Sequence, residues 1–183
     1  MNKTFLISWP RSGRGAFVKL LKGYFAPELV LKYSPQAMNS DALVVFEHDV
    51  ALELEVSDQN QYIVLVREPL NALMSWLWFE VDFAEKHKAP PVSWEEWAPR
   101  QFELFSAWFK KWLISPVPNR LILDYESLIE NPELCLKMAV KHIAGEVRDG
   151  RVSDAVREFP IERRHLLVTD RRFEVSLQQE RQS

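Results

Sequence analysis

Arg11, Ser12, Gly13, Arg14 and Gly15 stand side by side, after an apolar run (Phe5, Leu6, Ile7) and before a helical apolar pattern (Phe17, Leu20, Leu21). These residue types suit an anion. Guanidinium groups bring charge in planar forks of donors, a serine adds a hydroxyl, and glycines let the main chain come close to a bound group. Strand, tight loop and helix in that order aim a helix N-terminus at the same spot, where free amides and the helix dipole favour negative charge. The stretch 5–21 therefore reads as a phosphate- or sulfate-binding loop. It is not the loop of the nucleotide triphosphatases, because no Gly-Lys-Ser/Thr occurs anywhere in the chain.

Further polar residues follow other apolar runs. Leu43 to Phe46 reads as a buried strand and leads into Glu47-His48-Asp49. Gln61 to Val66 is near-continuously apolar, as strands of parallel sheets are, and leads into Arg67-Glu68-Pro69. Arg120 to Asp124 is a further strand, followed by Tyr125-Glu126. Between them lie helical patterns: about Gly15 to Phe25, Leu70 to about Phe83, one or two amphipathic helices over Trp94 to Leu113, and Asn131-Pro132 to about Ala144, closed by Gly145. A short strand is expected near Leu29 to Lys32. Ser93 with Glu96 resembles a capping box, and Ser153 is a candidate cap for a short helix to Phe159. Strands alternating with helices predict an α/β fold, a three-layer sandwich with a central parallel sheet flanked by helices, like that of the P-loop nucleotide triphosphatases. Ligands in such sheets bind at the C-terminal strand ends. Arg11-Ser12, His48, Arg67 and Tyr125 all fall at such ends.

The 183 residues suit one domain spanning 1–183, with the tail from about 176 expected to be disordered. A net charge of −3 argues against binding nucleic acid through bulk charge, so any anion site must be local. The single cysteine, Cys135, excludes an internal disulfide and lies in a helical pattern, where it reads as packing. No apolar run is long enough to span a bilayer and no signal-peptide layout opens the chain, so a cytoplasmic location is expected.

Taken together, the motifs resemble those of the sulfotransferases that use 3′-phosphoadenosine 5′-phosphosulfate (PAPS) and release 3′-phosphoadenosine 5′-phosphate (PAP). Trp9-Pro10-Arg11-Ser12-Gly13 is similar to the family's 5′-phosphosulfate loop, Phe/Tyr-Pro-Lys/Arg-Ser-Gly-Thr/Asn-Thr/Ser-Trp. Val66-Arg67-Glu68-Pro69, with Ser75-Trp76, is similar to its 3′-phosphate motif. Asp124-Tyr125-Glu126-Ser127-Leu128 with Asn131-Pro132-Glu133 resembles its Tyr-Glu-x-Leu…Asn-Pro-Glu segment. His48 stands where the family keeps its catalytic histidine. The likeness spans about Phe5 to Gly145.

The resemblance implies sulfuryl transfer from PAPS to a hydroxyl or amine of a small molecule, sugar or lipid, in line and without a metal. It implies that Arg11 contacts the sulfuryl group and the 5′-phosphate. Ser12, Gly13, Arg14 and Gly15 would hold the 5′-phosphate, Arg67 and Ser75 the 3′-phosphate, and Tyr125 would lie near the adenine or its linkage. His48 would be the general base, with an ordinary pKa of about 6.5. Several positions depart from the pattern. Gly15 replaces a hydroxyl residue, Ala16 an adenine-stacking Trp, Arg14 a Thr or Asn, and Phe46 a Lys two residues before the histidine. The C-terminal Arg-Lys-Gly…Gly-x-Trp segment is absent, with Arg171-Arg172 as a partial substitute. These departures keep two alternatives open: a non-catalytic protein that binds PAP or another phosphorylated ligand, and a small-molecule kinase. The acceptor and the oligomeric state are not legible in the sequence.

Overall fold

The computed structural model describes residues 3–90 and 92–161. Arg171-Arg172 and the tail from 176 lie outside them. Five parallel strands form one sheet: β1 (Thr4–Ser8), β2 (Val30–Lys32), β3 (Val44–Glu47), β4 (Gln61–Val66) and β5 (Arg120–Asp124), in the order β2-β3-β1-β4-β5. Side-chain alternation splits each central strand between two cores. Leu6, Ile63 and Leu65 face one side with α1 (Arg14–Phe25), α6 (Pro132–Ala144) and α7 (Asp149–Glu158). Phe5, Ile7, Tyr62 and Val64 face the other, with α2 (Pro35–Met38), α3 (Pro69–His87) and α4 (Trp94–Phe109). This is the expected three-layer α/β sandwich. Cys135 is buried in the first core, as its helical setting predicted.

The strand order fixes where a ligand can sit. From β1 the chain turns through α1 towards β2 and β3; from β4 it turns through α3 and α4 towards β5. The connections diverge between β1 and β4, and such a divergence opens a crevice at the C-terminal strand ends. The loop after β1 and the turn after β4 both open there.

Local chemistry explains the element ends. Both Glu68 carboxylate oxygens accept from the first amides of α3, Leu70 N at 3.1 Å and Asn71 N at 2.7 Å. Asp124 caps α5 (Tyr125–Glu130), and Asn131 caps α6, which ends at Gly145 in the left-handed region (φ 77°). Three details correct the sequence reading. Helix α3 runs four residues past Phe83, to His87. The Ser93 capping box does not form, because Ser93 Oγ donates to Glu95 at 2.7 Å and leaves the helix amides uncapped. Ser153 lies inside α7, which begins at Asp149. The stretch read as one or two helices over Trp94 to Leu113 is α4, which ends at Phe109 and runs on directly into a π-helical turn, Lys110–Ile114.

Candidate functional site

The loop after β1 is braced by residues of α3, α4, α5 and the turn after β4. Trp9 is fully buried and makes edge contacts with Trp76, Phe105 and Trp108. Arg11 adopts a left-handed conformation (φ 66°), uncommon for a residue with a Cβ. Its carbonyl accepts from Arg67 Nη1 at 3.1 Å and its Nε donates to Ser75 Oγ at 3.3 Å, so two neighbouring motifs hold it in place. Its guanidinium lies 5.3 Å from the centre of the Phe79 ring. Gly13 (φ 83°) fits against Tyr125 only because it lacks a side chain: a Cβ there would stand 2.4 Å from the tyrosine ring. Tyr125 in turn lies beneath the Arg67 guanidinium, 4.6 Å from ring centre to charge. Burial pushes the pKa of Arg67 down, and Tyr125 and Glu126 oppose that.

Helix α1 starts directly from Gly13. No side chain caps it and its first turn holds no acidic residue, so its amide end stays positive. Ser12 is buried (1% exposed) and its hydroxyl has no hydrogen-bond partner among the described residues; Arg14 Nη1 is likewise buried and has none among them. Buried donors without partners are rare in folded proteins; the stretch 9–14 holds three, of which Trp9 Nε1 lies among aromatic rings, while Ser12 Oγ and Arg14 Nη1 suit a bound anion. Gly15 differs from Gly13: nothing lies within 4 Å of a Cβ built there, so packing does not require a glycine.

His48 follows β3. Its Nδ1 lies 2.8 Å from the Ser8 carbonyl and 3.1 Å from Ser8 Oγ. The carbonyl can only accept, so it selects the tautomer with the proton on Nδ1 and leaves Nε2 as the basic nitrogen. Burial, then the nearby Arg14 charge, lowers the imidazole pKa to about 4; the Ser8 bond and Glu47 oppose this. The backbone around His48 is clamped. Trp108 Nε1 donates to the His48 carbonyl at 2.9 Å. Asp49 (φ 49°) accepts from Leu54 N at 2.8 Å, Trp112 Nε1 at 2.9 Å and Lys111 Nζ at 2.7 Å. Lys111 also donates to the carbonyls of Leu52 and Leu54. The π-helical turn contributes both Lys111 and Trp112 to this clamp.

One cavity of about 1010 Å³ is lined by Arg11, Gly13, Arg14, Gly15, His48, Arg67, Ser75 and Tyr125. All the candidate residues except buried Ser12 thus reach a single space, and Ser12 lies in the same loop. His48 and Val50 also line a second cavity of about 350 Å³, with Tyr33, Glu47, Glu53 and Leu54. The sequence reading missed Ser8, Asp49, Trp108 and Lys111, whose contacts bridge 40 to 63 residues of sequence. It also missed Phe79 and the Phe159–Ile161 wall of the larger cavity. The segment 26–40 contributes Tyr33 to the second cavity. No described helix is long and apolar enough to cross a membrane.

No protein-family model matches the chain. No curated protein matches it in sequence. Solved structures do match in fold. The mouse sulfotransferase SULT7A1, complexed with PAP, is similar with a TM-score of 0.56 and 18% identity over 86% of this chain. The sulfotransferase domain from the curacin biosynthetic pathway is similar with a TM-score of 0.57 and 14% identity over 88% of this chain. The present chain spans 64% of the mouse enzyme's length and 79% of the curacin domain's. The fold is therefore the sulfotransferase fold.

Proposed function

We propose that this protein transfers a sulfuryl group from PAPS to a hydroxyl or amine acceptor, with His48 as the base. The observation that carries the reading is the convergence of Arg11, Arg14, Arg67, Ser75 and His48 on one cavity, beside a buried Ser12 hydroxyl that lacks a partner among the described residues. PAPS, when bound, supplies an activated sulfur whose bond to the 5′-phosphate oxygen breaks as the bond to the acceptor forms. The chain's own residues do the rest. Ser12, Arg14 and the amide end of α1 receive the 5′-phosphate. Arg11 is held by Ser75 and Arg67 to face the sulfuryl group, where negative charge develops as the donor bond breaks. Arg67 and Ser75 receive the 3′-phosphate, and Tyr125 supports Arg67. His48 Nε2 takes the acceptor's proton, and Ser8 fixes the ring that does so. The smaller cavity reaches the same imidazole and is the natural seat for an acceptor small molecule, sugar or lipid headgroup.

The test is calorimetric titration with PAP at two salt concentrations, followed by transfer of labelled sulfate from PAPS to a panel of alcohols and amines. Wild type should bind PAP, and Arg67→Ala should lose more than tenfold, about 1.4 kcal/mol. His48→Ala should abolish transfer and keep PAP binding. A folded protein that does not bind PAP overturns the reading. Binding without product on any acceptor selects the non-catalytic alternative, and magnesium-dependent phosphorylation by ATP selects the kinase.

A further inference from the structure

Arg14, in α1, and His48, just after β3, reach the same cavity. The Arg14 guanidinium lies 5.5 Å from the centre of the Phe46 ring, two residues before His48. Its buried Nη1 makes no hydrogen bond, and no carboxylate lies within ion-pair distance of it among the described residues. Glu47 acts on Arg14 only at longer range, and one of its oxygens is engaged by the His48 amide at 2.7 Å. The groups that face His48 are few. Ser8 comes from β1, Arg14 from α1, Lys32 from β2 and Glu47 from β3, while Trp108 of α4 holds its carbonyl. Of the two cations, Arg14 acts on the imidazole more strongly than Lys32.

We propose that Arg14 makes His48 a base conditional on an anion in the loop. With the loop free of anion, the guanidinium shares the cavity with the imidazole, offset only by the longer-range Glu47 carboxylate, and opposes its protonation. A phosphate or sulfate drawn to Nη1 offsets that charge and lets the imidazole accept a proton. Phe46 supports this device, since its ring holds the guanidinium without neutralising it, as a carboxylate would. The inference rests on the sulfotransferase reading and adds an order to it. The acceptor proton passes to His48 Nε2 only while the donor occupies the loop. The acceptor oxygen or nitrogen then bonds to sulfur, and the donor's sulfur–oxygen electron pair leaves on the 5′-phosphate. When PAP departs, Arg14 faces His48 again and the imidazolium gives its proton to water, which resets the base.

The experiment is an NMR pH titration of the histidine imidazoles in the full chain, with the His48 signal assigned through His48→Gln. It is run with and without saturating PAP, in wild type, Arg14→Met and Arg14→Lys. In wild type, PAP should raise the proton affinity of His48 tenfold or more. Without PAP, Arg14→Met should show a higher affinity than wild type and a PAP-induced rise less than half as large. Arg14→Lys should keep the wild-type pattern, which separates charge from packing. An unchanged His48 titration on PAP binding overturns the proposal. So does an equal rise in Arg14→Met, because the anion would then act on the imidazole without Arg14. Calorimetry on the same samples reports whether PAP binds. If it does not, the sulfotransferase reading fails separately, and inorganic sulfate titrated into the same samples decides the Arg14–His48 coupling.

Discussion

Gly13 and Gly15 stand two residues apart in the same loop, and the structure predicts opposite outcomes for the same substitution. At Gly13 an alanine meets two penalties. The backbone is left-handed (φ 83°), which costs a residue with a Cβ roughly 1 kcal/mol. The new methyl also lies 2.4 and 2.6 Å from two carbons of the Tyr125 ring, far inside contact distance. Tyr125, the first residue of α5, is 6% exposed and lies under the Arg67 guanidinium, so the ring must shift off that cation towards the cavity it lines, an overpacking of about 1–3 kcal/mol. The sum, about 2–4 kcal/mol, is a large share of a typical domain's 5–15 kcal/mol. For a chain of this length it lowers the melting temperature by roughly 5–15 °C. At Gly15 nothing stands within 4 Å of the added methyl, the residue lies in the first turn of α1, and φ is not positive. Gly15→Ala should therefore be neutral or stabilising, by up to about 1 kcal/mol.

The stability readout is paired with a site readout. Tyr125 carries the Arg67 guanidinium, and Arg67 holds the Arg11 carbonyl. Displacing the ring should disturb both arginines at once. Differential scanning calorimetry measures the melting shift, and titration with PAP at a temperature well below the transition measures the site. Gly13→Ala should lose more than tenfold in PAP affinity even where it remains fully folded. A melting change under about 2 °C with unchanged PAP affinity would refute the packing argument. A large drop in Gly15→Ala would refute the contrast between the two glycines.

Two further predictions follow from the clamp around His48. The imidazole pKa is about 4 in the fold against an ordinary 6.5, so the unfolded chain binds this proton more readily. The fold therefore keeps the full stabilising effect above pH 6.5 and loses it as pH falls towards 4, by at most about 3 kcal/mol. Urea unfolding at pH 7 and pH 4.5 should show His48→Gln losing about 2–3 kcal/mol less on acidification than wild type; equal losses would contradict the burial of His48. Lys111→Met leaves the Asp49 carboxylate, 3% exposed, without its cation. Removing one partner of a buried pair costs about 3–5 kcal/mol, and the two donors that Asp49 keeps favour the lower end. A loss below about 1 kcal/mol in denaturant would show the pair to be dispensable, and sulfuryl transfer should fall more than PAP affinity because the clamp positions His48 and not the loop.

The sequence carried the sheet and the residues at its strand ends, but not what holds those residues in place. Continuous apolar runs such as Gln61–Val66 mark buried strands because both faces of a parallel sheet are covered, and Asn131-Pro132 and Gly145 mark helix ends through chemistry local to a few residues. The contacts that hold the site are not local. Ser8 meets His48 across 40 residues and Asp49 meets Trp112 across 63, and neither pairing leaves a periodic or spaced signal. Lys111 and Trp112 belong to an amphipathic helical pattern in which one would be read as solvated and the other as core. Only the π-helical turn at 110–114 brings both to one carboxylate.

The same contrast bears on how the loop's departures from the sulfotransferase pattern should be read. Taken singly, Arg14 and Phe46 look like two unrelated departures: a guanidinium in place of a threonine or asparagine in the loop, and a ring in place of a lysine in the strand before His48. In the fold the two are in contact, guanidinium over ring at 5.5 Å, so a cation still stands near the imidazole, supplied by α1 instead of β3. The two departures are therefore neighbours in space, the ring of one lying against the guanidinium of the other. That pairing can be measured. If the guanidinium depends on the ring for its place, Phe46→Ala and Arg14→Met should depress PAP affinity or transfer together by less than the product of their separate effects, and a double-mutant cycle that closes to zero would break the link between them.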